Sequence, residues 1–215
     1  MKVGLIDYDM GNLHSAAKAL ALHGCDVTVT ADASELEKSD LLVLPGVGAF
    51  GAAMAALGKA RLDEFVRRWI LEKKRPFLGM CLGLQLLFEH GDESNEKGLG
   101  IFKGRVARFD DANLAAQKLQ IPHMGWNTLN VQAPGRPYYA GIGAEDRVYF
   151  VHSYFAVPED KSLIATTTDY GGSFCSSVAA ERLFATQFHP EKSGEVGRQL
   201  LANVIALAKK EKAGC

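Results

Sequence analysis

Pro76-Phe77-Leu78-Gly79-Met80-Cys81-Leu82-Gly83-Leu84-Gln85-Leu86-Leu87-Phe88 is the stretch on which the fold turns. Residues 77–80 form an apolar run of strand length, residues 82–88 have the composition of a helix, and glycines stand two before and two after the cysteine between them. A strand that empties into a helix through Gly-x-Cys-x-Gly is half of a βαβ unit. The glycines let the backbone turn sharply and let neighbouring elements approach. The N-terminus of the following helix would favour a thiolate at Cys81.

Working outward in both directions, the same alternation recurs. Residues 3–6, 27–30 and 41–44 read as strands, and residues 13–23 and 62–71 as helices. That pattern predicts βαβ units and a mainly parallel sheet. Gly24 after His23 and Gly91 after His90 read as helix C-caps. The uncharged segment 41–57 is divided by Pro45, Gly46, Gly48 and Gly51 into strand, loop and helix, so it does not read as a membrane span. Beyond Ile101 the pattern changes to strand-like runs at Val106, Val131, 148–151, 163–167, 174–179 and 183–188, which predicts added antiparallel strands in the C-terminal half. A closing helix over 194–210 ends in Lys209-Lys210, where positive charge complements the helix dipole. Residues 110–120 and 133–147 carry no motif and read as loops. With no repeat and no linker, residues 1–215 are expected to form a single domain.

Composition narrows the partners. Across 215 residues, 24 Lys and Arg stand against 25 Asp and Glu, for a formal net charge of −1, and 47% of residues are hydrophobic. One well-cored domain is expected, with no electrostatic case for wrapping nucleic acid or lying on an anionic membrane. No secretory apolar segment opens the sequence, so cytoplasm is the expected address. Cys25, Cys81, Cys175 and Cys215 lack C-x-x-C spacing, which suggests neither a zinc cage nor a disulfide framework.

In open α/β sheets the ligand crevice lies beyond the carboxyl ends of the strands, so strand-end loops are where chemistry is expected. Cys81 occupies one as a nucleophile. Phe184-Ala185-Thr186-Gln187-Phe188-His189-Pro190-Glu191 empties into another, with Pro190 stiffening the link between a base, His189, and a carboxylate two residues on that can orient it. His123 and His152 stay open as alternatives. Attack on a carbonyl also requires donors for an oxyanion. One is the N–H of Leu82, and Pro45-Gly46-Val47-Gly48 has the flexibility to offer a second from Val47 or Gly48. Gly46-x-Gly48-x-x-Gly51 matches a dinucleotide spacing, but it follows the third strand and is led by Pro45, so it is set aside. Acyl transfer from a peptide or ester, or a binding module without chemistry, would fit the same residues.

These residues resemble the triad-type glutamine amidotransferases, and among them the family of glutaminase subunits of imidazole glycerol phosphate synthase, over nearly the whole chain. The resemblance is carried by Asp7-Tyr8, Gly11-Asn12-Leu13, Leu44-Pro45-Gly46-Val47-Gly48, Gly79-Met80-Cys81-Leu82-Gly83-Leu84-Gln85, Pro122-His123-Met124-Gly125-Trp126-Asn127, Tyr149-Phe150-Val151-His152-Ser153-Tyr154 and Gln187-Phe188-His189-Pro190-Glu191-Lys192-Ser193-Gly194. It implies a flavodoxin-like three-layer α/β sandwich and a Cys81-His189-Glu191 triad that hydrolyses glutamine without a cofactor or metal. It further implies a glutamine pocket lined by Gln85, Glu93, Ser153 and Tyr154. Asn12, His123, Met124, Trp126 and Asn127 would face a (β/α)8-barrel cyclase in a heterodimer of the histidine pathway, which uses the ammonia to make imidazole glycerol phosphate and an aminoimidazole carboxamide ribotide.

Overall fold

Short strands that are apolar on both faces need helices on both sides, and the N-terminal half supplies them. The protein is described by a computed structural model covering residues 1–93 and 96–213, with side chains through residue 210. In it β1 (Lys2–Ile6), α1 (Leu13–Ala21), β2 (Asp26–Thr30), α2 (Ala33–Leu36), β3 (Leu41–Leu44), α3 (Phe50–Lys59), α4 (Leu62–Arg67) and β4 (Phe77–Met80) lead to the elbow, followed by α5 (Leu82–Gln85). The second half holds β5 (Phe88–Gly91), β6 (Glu96–Lys97), β7 (Phe102–Arg108), α6 (Asp111–Ala116), β8 (His123–Thr128) and β9 (Asn130–Val131). It ends with β10 (Arg147–His152), β11 (Tyr154–Pro158), β12 (Ile164–Asp169), β13 (Ser173–Ala180), β14 (Leu183–Thr186) and α7 (Gly194–Ala213).

The period of two along each strand divides the interior. Val3, Leu5, Leu41, Val43, Leu78, Met80 and Phe184 join one cluster with Leu20 of α1 and Leu200, Leu201 and Val204 of α7. Ile6, Leu42, Leu44, Phe77 and Leu183 join another with Leu36 of α2, Phe50 and Leu57 of α3, and Phe65 and Val66 of α4. The sheet is therefore the middle of three layers, as the family resemblance implies. Its order is β2-β1-β3-β4-β14-β13-β11-β7-β5-β6, with β12 added to β13 and β9 to β12, while β8 and β10 form a separate antiparallel pair. From β2 to β14 the pairing is parallel, and β13, β11 and β7 continue it antiparallel. The winding reverses between β1 and β3, which opens a crevice at the carboxyl ends of the neighbouring strands.

Several local expectations change. Gly24 does close α1, at φ 69° with its N–H on the Ala21 carbonyl at 2.9 Å. Gly91 does not cap a helix: α5 stops at Gln85, and residues 88–91 form β5, whose Gly91 lies so near the Phe50 ring that a Cβ would approach it to 2.8 Å. A short run of buried apolar residues satisfies either period, and the strand won because it completes the sheet against β7. Residues 110–120 contain α6, begun by the Asp110 carboxylate accepting the Ala112 and Asn113 N–H groups. Residues 133–147 are not a loose excursion either, since Tyr138 and Tyr139 are buried and Tyr138 stacks on Phe184 at 4.1 Å. Cys215 lies outside the described residues. No helix among the described residues is long and apolar enough to cross a membrane.

The glycines of the elbow earn their place by contact rather than by dihedral freedom. A Cβ on Gly83 would stand 2.0 Å from the Leu44 carbonyl oxygen, and one on Gly79 would stand 2.9 Å from the Gly83 oxygen. The helix after Cys81 is thus pressed directly on the ends of β3 and β4. Gly83→Ala is expected to destabilise the fold by about 1–3 kcal/mol, the scale of a backbone shift forced in a packed interior. The measurement is the urea midpoint at unchanged m-value, and a midpoint equal to the native one contradicts the contact.

Candidate active site

Register brings the nucleophile and base loops together. β14 runs parallel to β4 with Thr186 opposite Met80, so both chains leave the sheet side by side, and the Cys81 N–H donates to the Thr186 carbonyl at 2.7 Å. Cys81 itself sits at φ 53° and ψ −106°, a region that costs a non-glycine residue about 1–3 kcal/mol and that persists where surrounding structure imposes it. The side chain borders a cavity of about 400 Å³, together with Gly48, Gln85, Glu93, Tyr154 and His189.

His189 follows β14 by three residues and enters a 3-10 turn, Pro190–Lys192. Its backbone is clamped to β10: its N–H donates to the Tyr149 carbonyl at 3.0 Å, and its carbonyl accepts from the Ser193 hydroxyl at 2.6 Å, whose oxygen in turn accepts the Tyr149 N–H at 3.0 Å. The imidazole Nδ1 meets Glu191 Oε1 at 2.7 Å, with both side chains almost fully buried. A carboxylate at Nδ1 holds the proton on that nitrogen and leaves Nε2 to take another. Nε2 is buried and without a hydrogen-bond partner among the described residues. Burial pulls the His189 pKa down, but Cys81 and Glu191 outweigh it and hold it up at about 10. The arrangement therefore favours the protonated form of His189.

The loop expected to supply an oxyanion donor wraps around the same elbow. Gly46 is wedged so that a Cβ would meet Tyr8 Oη at 2.5 Å and Leu82 Cβ at 2.9 Å, and the Tyr8 hydroxyl donates to the Pro45 carbonyl at 2.8 Å. Burial, reinforced by Cys81, pushes the Tyr8 hydroxyl well above its usual range, so it stays a donor. The Val47 N–H donates to the Met10 carbonyl at 3.2 Å, and the Leu82 N–H is directed to the Gly46 carbonyl at 3.4 Å. Gly48 stands at φ 103°, where an L side chain is strained. Both backbone donors named from Val47 and Leu82 are thus engaged within the protein.

Gln85 is buried, and its Nε2 donates to the Tyr154 carbonyl at 3.0 Å and to Gln187 Oε1 at 3.1 Å. Glu93 Oε2 accepts the Phe50 N–H at 2.7 Å, at the start of α3, and Ser153 lines the cavity beside Tyr154. Period-two alternation in β8 sends Met124 and Trp126 outward, 62% and 52% exposed, whereas His123, expected with them on a partner face, is turned inward. It stacks between Tyr170 and Phe150 and bonds His152 at 3.0 Å. Asn127 donates to the Asp169 carbonyl at 2.9 Å, and Asn12 caps α1 through Ser15 at 3.3 Å. Burial pushes His123 down to about 4 and, with His123 and His189 adding to it against the Tyr154 carbonyl, His152 down to about 3. Both rings are neutral. Cys25 and Cys175 are buried and free, and burial raises both, Cys175 up to about 12. Among the described residues no group of three or more His, Cys, Asp and Glu is placed to hold a metal ion.

Reading the chain as a string gave Gln187 no role in this site and left His152 only as an open alternative to His189. Gln187 reaches Cys81 only through the pairing of β4 with β14, and His152 reaches the cavity wall only through the pairing of β10 with β8. Neither pairing leaves a local signal in sequence.

A cysteine elbow in a parallel sheet, facing a carboxylate-held histidine, defines the class, and comparison with known proteins agrees. The family model described as class-I glutamine amidotransferase matches residues 4–207, and the chain belongs to that family. Solved structures share the fold: a glutamine amidotransferase at TM-score 0.74 and 19% identity, covering 96% of this chain and 98% of that one, and a putative GMP synthase component from Thermoplasma acidophilum at TM-score 0.72 and 21% identity, covering 99% and 96%. Within the family, the relatives are more specific. The imidazole glycerol phosphate synthase subunit HisH of Thermosynechococcus vestitus is 49% identical, with 96% of this chain and 97% of that one covered. HisH of Methylococcus capsulatus is also 49% identical, with 94% and 95% covered.

The charge state of His189 makes stability depend on pH. Its folded pKa of about 10 lies above the unfolded value of about 6.5, so its contribution is complete below about pH 6.5 and is lost as pH rises through about 10. Unfolding free energy is expected to decline across that window, and Glu191→Gln to flatten the decline. Urea titrations of both proteins across the window measure it; equal slopes contradict the assignment.

Proposed function

We infer that this chain hydrolyses the side-chain amide of glutamine and passes the ammonia to the cyclase subunit of imidazole glycerol phosphate synthase. The observation that carries the reading is the convergence of Cys81 and the His189–Glu191 couple on one cavity. Cys81 gives its proton to His189 Nε2, and the sulfur attacks the carboxamide carbon. The tetrahedral oxyanion collapses, the carbon–nitrogen bond breaks, and the leaving nitrogen takes the proton from His189 to depart as ammonia. Water, deprotonated by the same imidazole, then hydrolyses the γ-glutamyl thioester to glutamate and restores the thiol. Glu191 keeps the ring in the tautomer and orientation this requires. Gln85, Glu93, Ser153 and Tyr154 hold the glutamine. Leu82 and either Val47 or Gly48 supply the oxyanion donors. Names of the 49% identical relatives support the acceptor, and the exposed pair Met124 and Trp126 supplies an anchor for it of the kind found at interface centres, with Asn127 next along the strand and Asn12 assigned to the same interface by the resemblance. The partner is read as a (β/α)8 barrel forming a heterodimer, and His123 supports the docking strand from inside.

Cys81→Ala is expected to lower glutamate release from glutamine by at least about 10³-fold, the scale for a deleted nucleophile. Synthesis of imidazole glycerol phosphate by its complex from added ammonia should stay near native. Full glutaminase activity in Cys81→Ala would sink the triad. The bond from Val47 to Met10 gives a second expectation. Without the cyclase turnover is low, and the loaded cyclase raises it by about 10²–10³-fold, the scale of one oxyanion donor. Stopped assays with and without the partner measure this, and high turnover of the isolated chain contradicts it.

A further inference from the structure

Gln187 is fully buried in the strand-end segment between β14 and His189, directly beside the elbow. The orientation of its amide follows by elimination. The Tyr154 carbonyl can only accept, so the Gln85 atom 3.0 Å from it is the NH₂ group. The same nitrogen lies 3.1 Å from the Gln187 side chain, so Gln187 presents its carbonyl to Gln85 and its NH₂ to Cys81, whose sulfur is 3.8 Å away. The Tyr154 carbonyl is fixed in turn. His152 Nδ1 meets it at 2.8 Å and must therefore carry a proton, so His152 Nε2 accepts from His123 Nδ1 at 3.0 Å. Each link has one allowed direction, and the last donor in the series ends on the nucleophile.

We propose that Gln187 is a catalytic residue of the glutaminase reaction, donating its Nε2–H to the Cys81 sulfur and stabilising the anion before attack, in an orientation set by Gln85. The step moves no proton to or from Gln187. The thiol proton goes to His189, the sulfur anion is met by the amide of Gln187 on one side and the imidazolium on the other, and the amide is released from that duty when the carbon–sulfur bond forms. Gln187 therefore lowers the energy of the attacking state while leaving glutamine affinity to other groups. The proposal rests on the glutaminase reading only for its substrate; the contact with sulfur stands without it.

The test uses Gln187→Glu, which keeps an acceptor for Gln85 but sets a carboxylate against the sulfur, and Gln187→Leu, which removes both contacts at similar volume. Each full-length variant is assembled with the cyclase, and three quantities are read: ammonia-supported synthesis, kcat and KM for glutamine, and the rate of Cys81 alkylation by iodoacetamide without glutamine at neutral pH. Expected are ammonia-supported synthesis within about twofold of native and KM within about threefold. Alkylation and kcat should fall by about 10–100-fold, the scale of a hydrogen bond to a charged group, and further in Gln187→Glu than in Gln187→Leu. Native alkylation rates in both variants, or a loss confined to KM, overturn the proposal. Should the variants fail to assemble, the native protein decides: the Gln187 side-chain amide protons shift when Cys81 is replaced by Ala if the contact exists, and unshifted resonances overturn it. A native complex that releases no glutamate from glutamine would refute the glutaminase reading alone, because the alkylation rate of Cys81 reports on its contact with Gln187 independently of the substrate.

Discussion

The bond from the Cys81 N–H to the Thr186 carbonyl, at the end of the parallel ladder between β4 and β14, is the constraint from which the site follows. Two strands far apart in sequence are held in one register, and that register sets the Cys81 thiol beside a buried amide and the His189–Glu191 couple. A slip of one residue would turn the side chains after β14 to the opposite face and take His189 away from the sulfur. The unusual backbone of Cys81 is tolerable because this bond, the Gly83 contact with Leu44 and the packing of Gly79 on Gly83 leave the elbow no other course.

Around that rigid centre, charge is arranged by burial and pairing. Glu191 and Cys81 together overcome the desolvation of His189, whereas His123 and His152, buried near by without a carboxylate, are pushed the other way and stay neutral. The same residue type is thus held protonated at one place and neutral, as a directed hydrogen-bond link, at another. The backbone donors of Val47 and Leu82 are by contrast occupied, by the Met10 and Gly46 carbonyls. An assembled His189–Glu191 pair coexists with backbone donors that are bonded elsewhere.

Much of this could be read from the chain because its strongest signals are local. The Gly-x-Cys-x-Gly turn, the strand running into His189 and Glu191, and the apolar alternation of the first half each lie within about a dozen residues, where periodicity and turn chemistry act. The misread places are those decided at a distance. Residues 86–91 suit a helix until β7 is present to pair with them. His123 reads as a surface residue of a motif until its strand is paired with β10. Tyr138 and Tyr139 fall in a motif-free segment, and only packing under Phe184 reveals them as core.

Glu93 illustrates how one side chain can serve two structures at once. α3 begins at Phe50 with Ala49 as its cap residue and no side-chain cap of its own, and the Glu93 carboxylate supplies the missing acceptor from forty-three residues away. The same carboxylate is a wall of the cavity. The Glu93 carboxylate thus carries both the first N–H of a helix and part of the cavity lining. The first turn of α3, immediately after the loop of residues 45–49, and the wall of the cavity therefore hang on one side chain, so that a change at Glu93 bears on a helix start and on the cavity together.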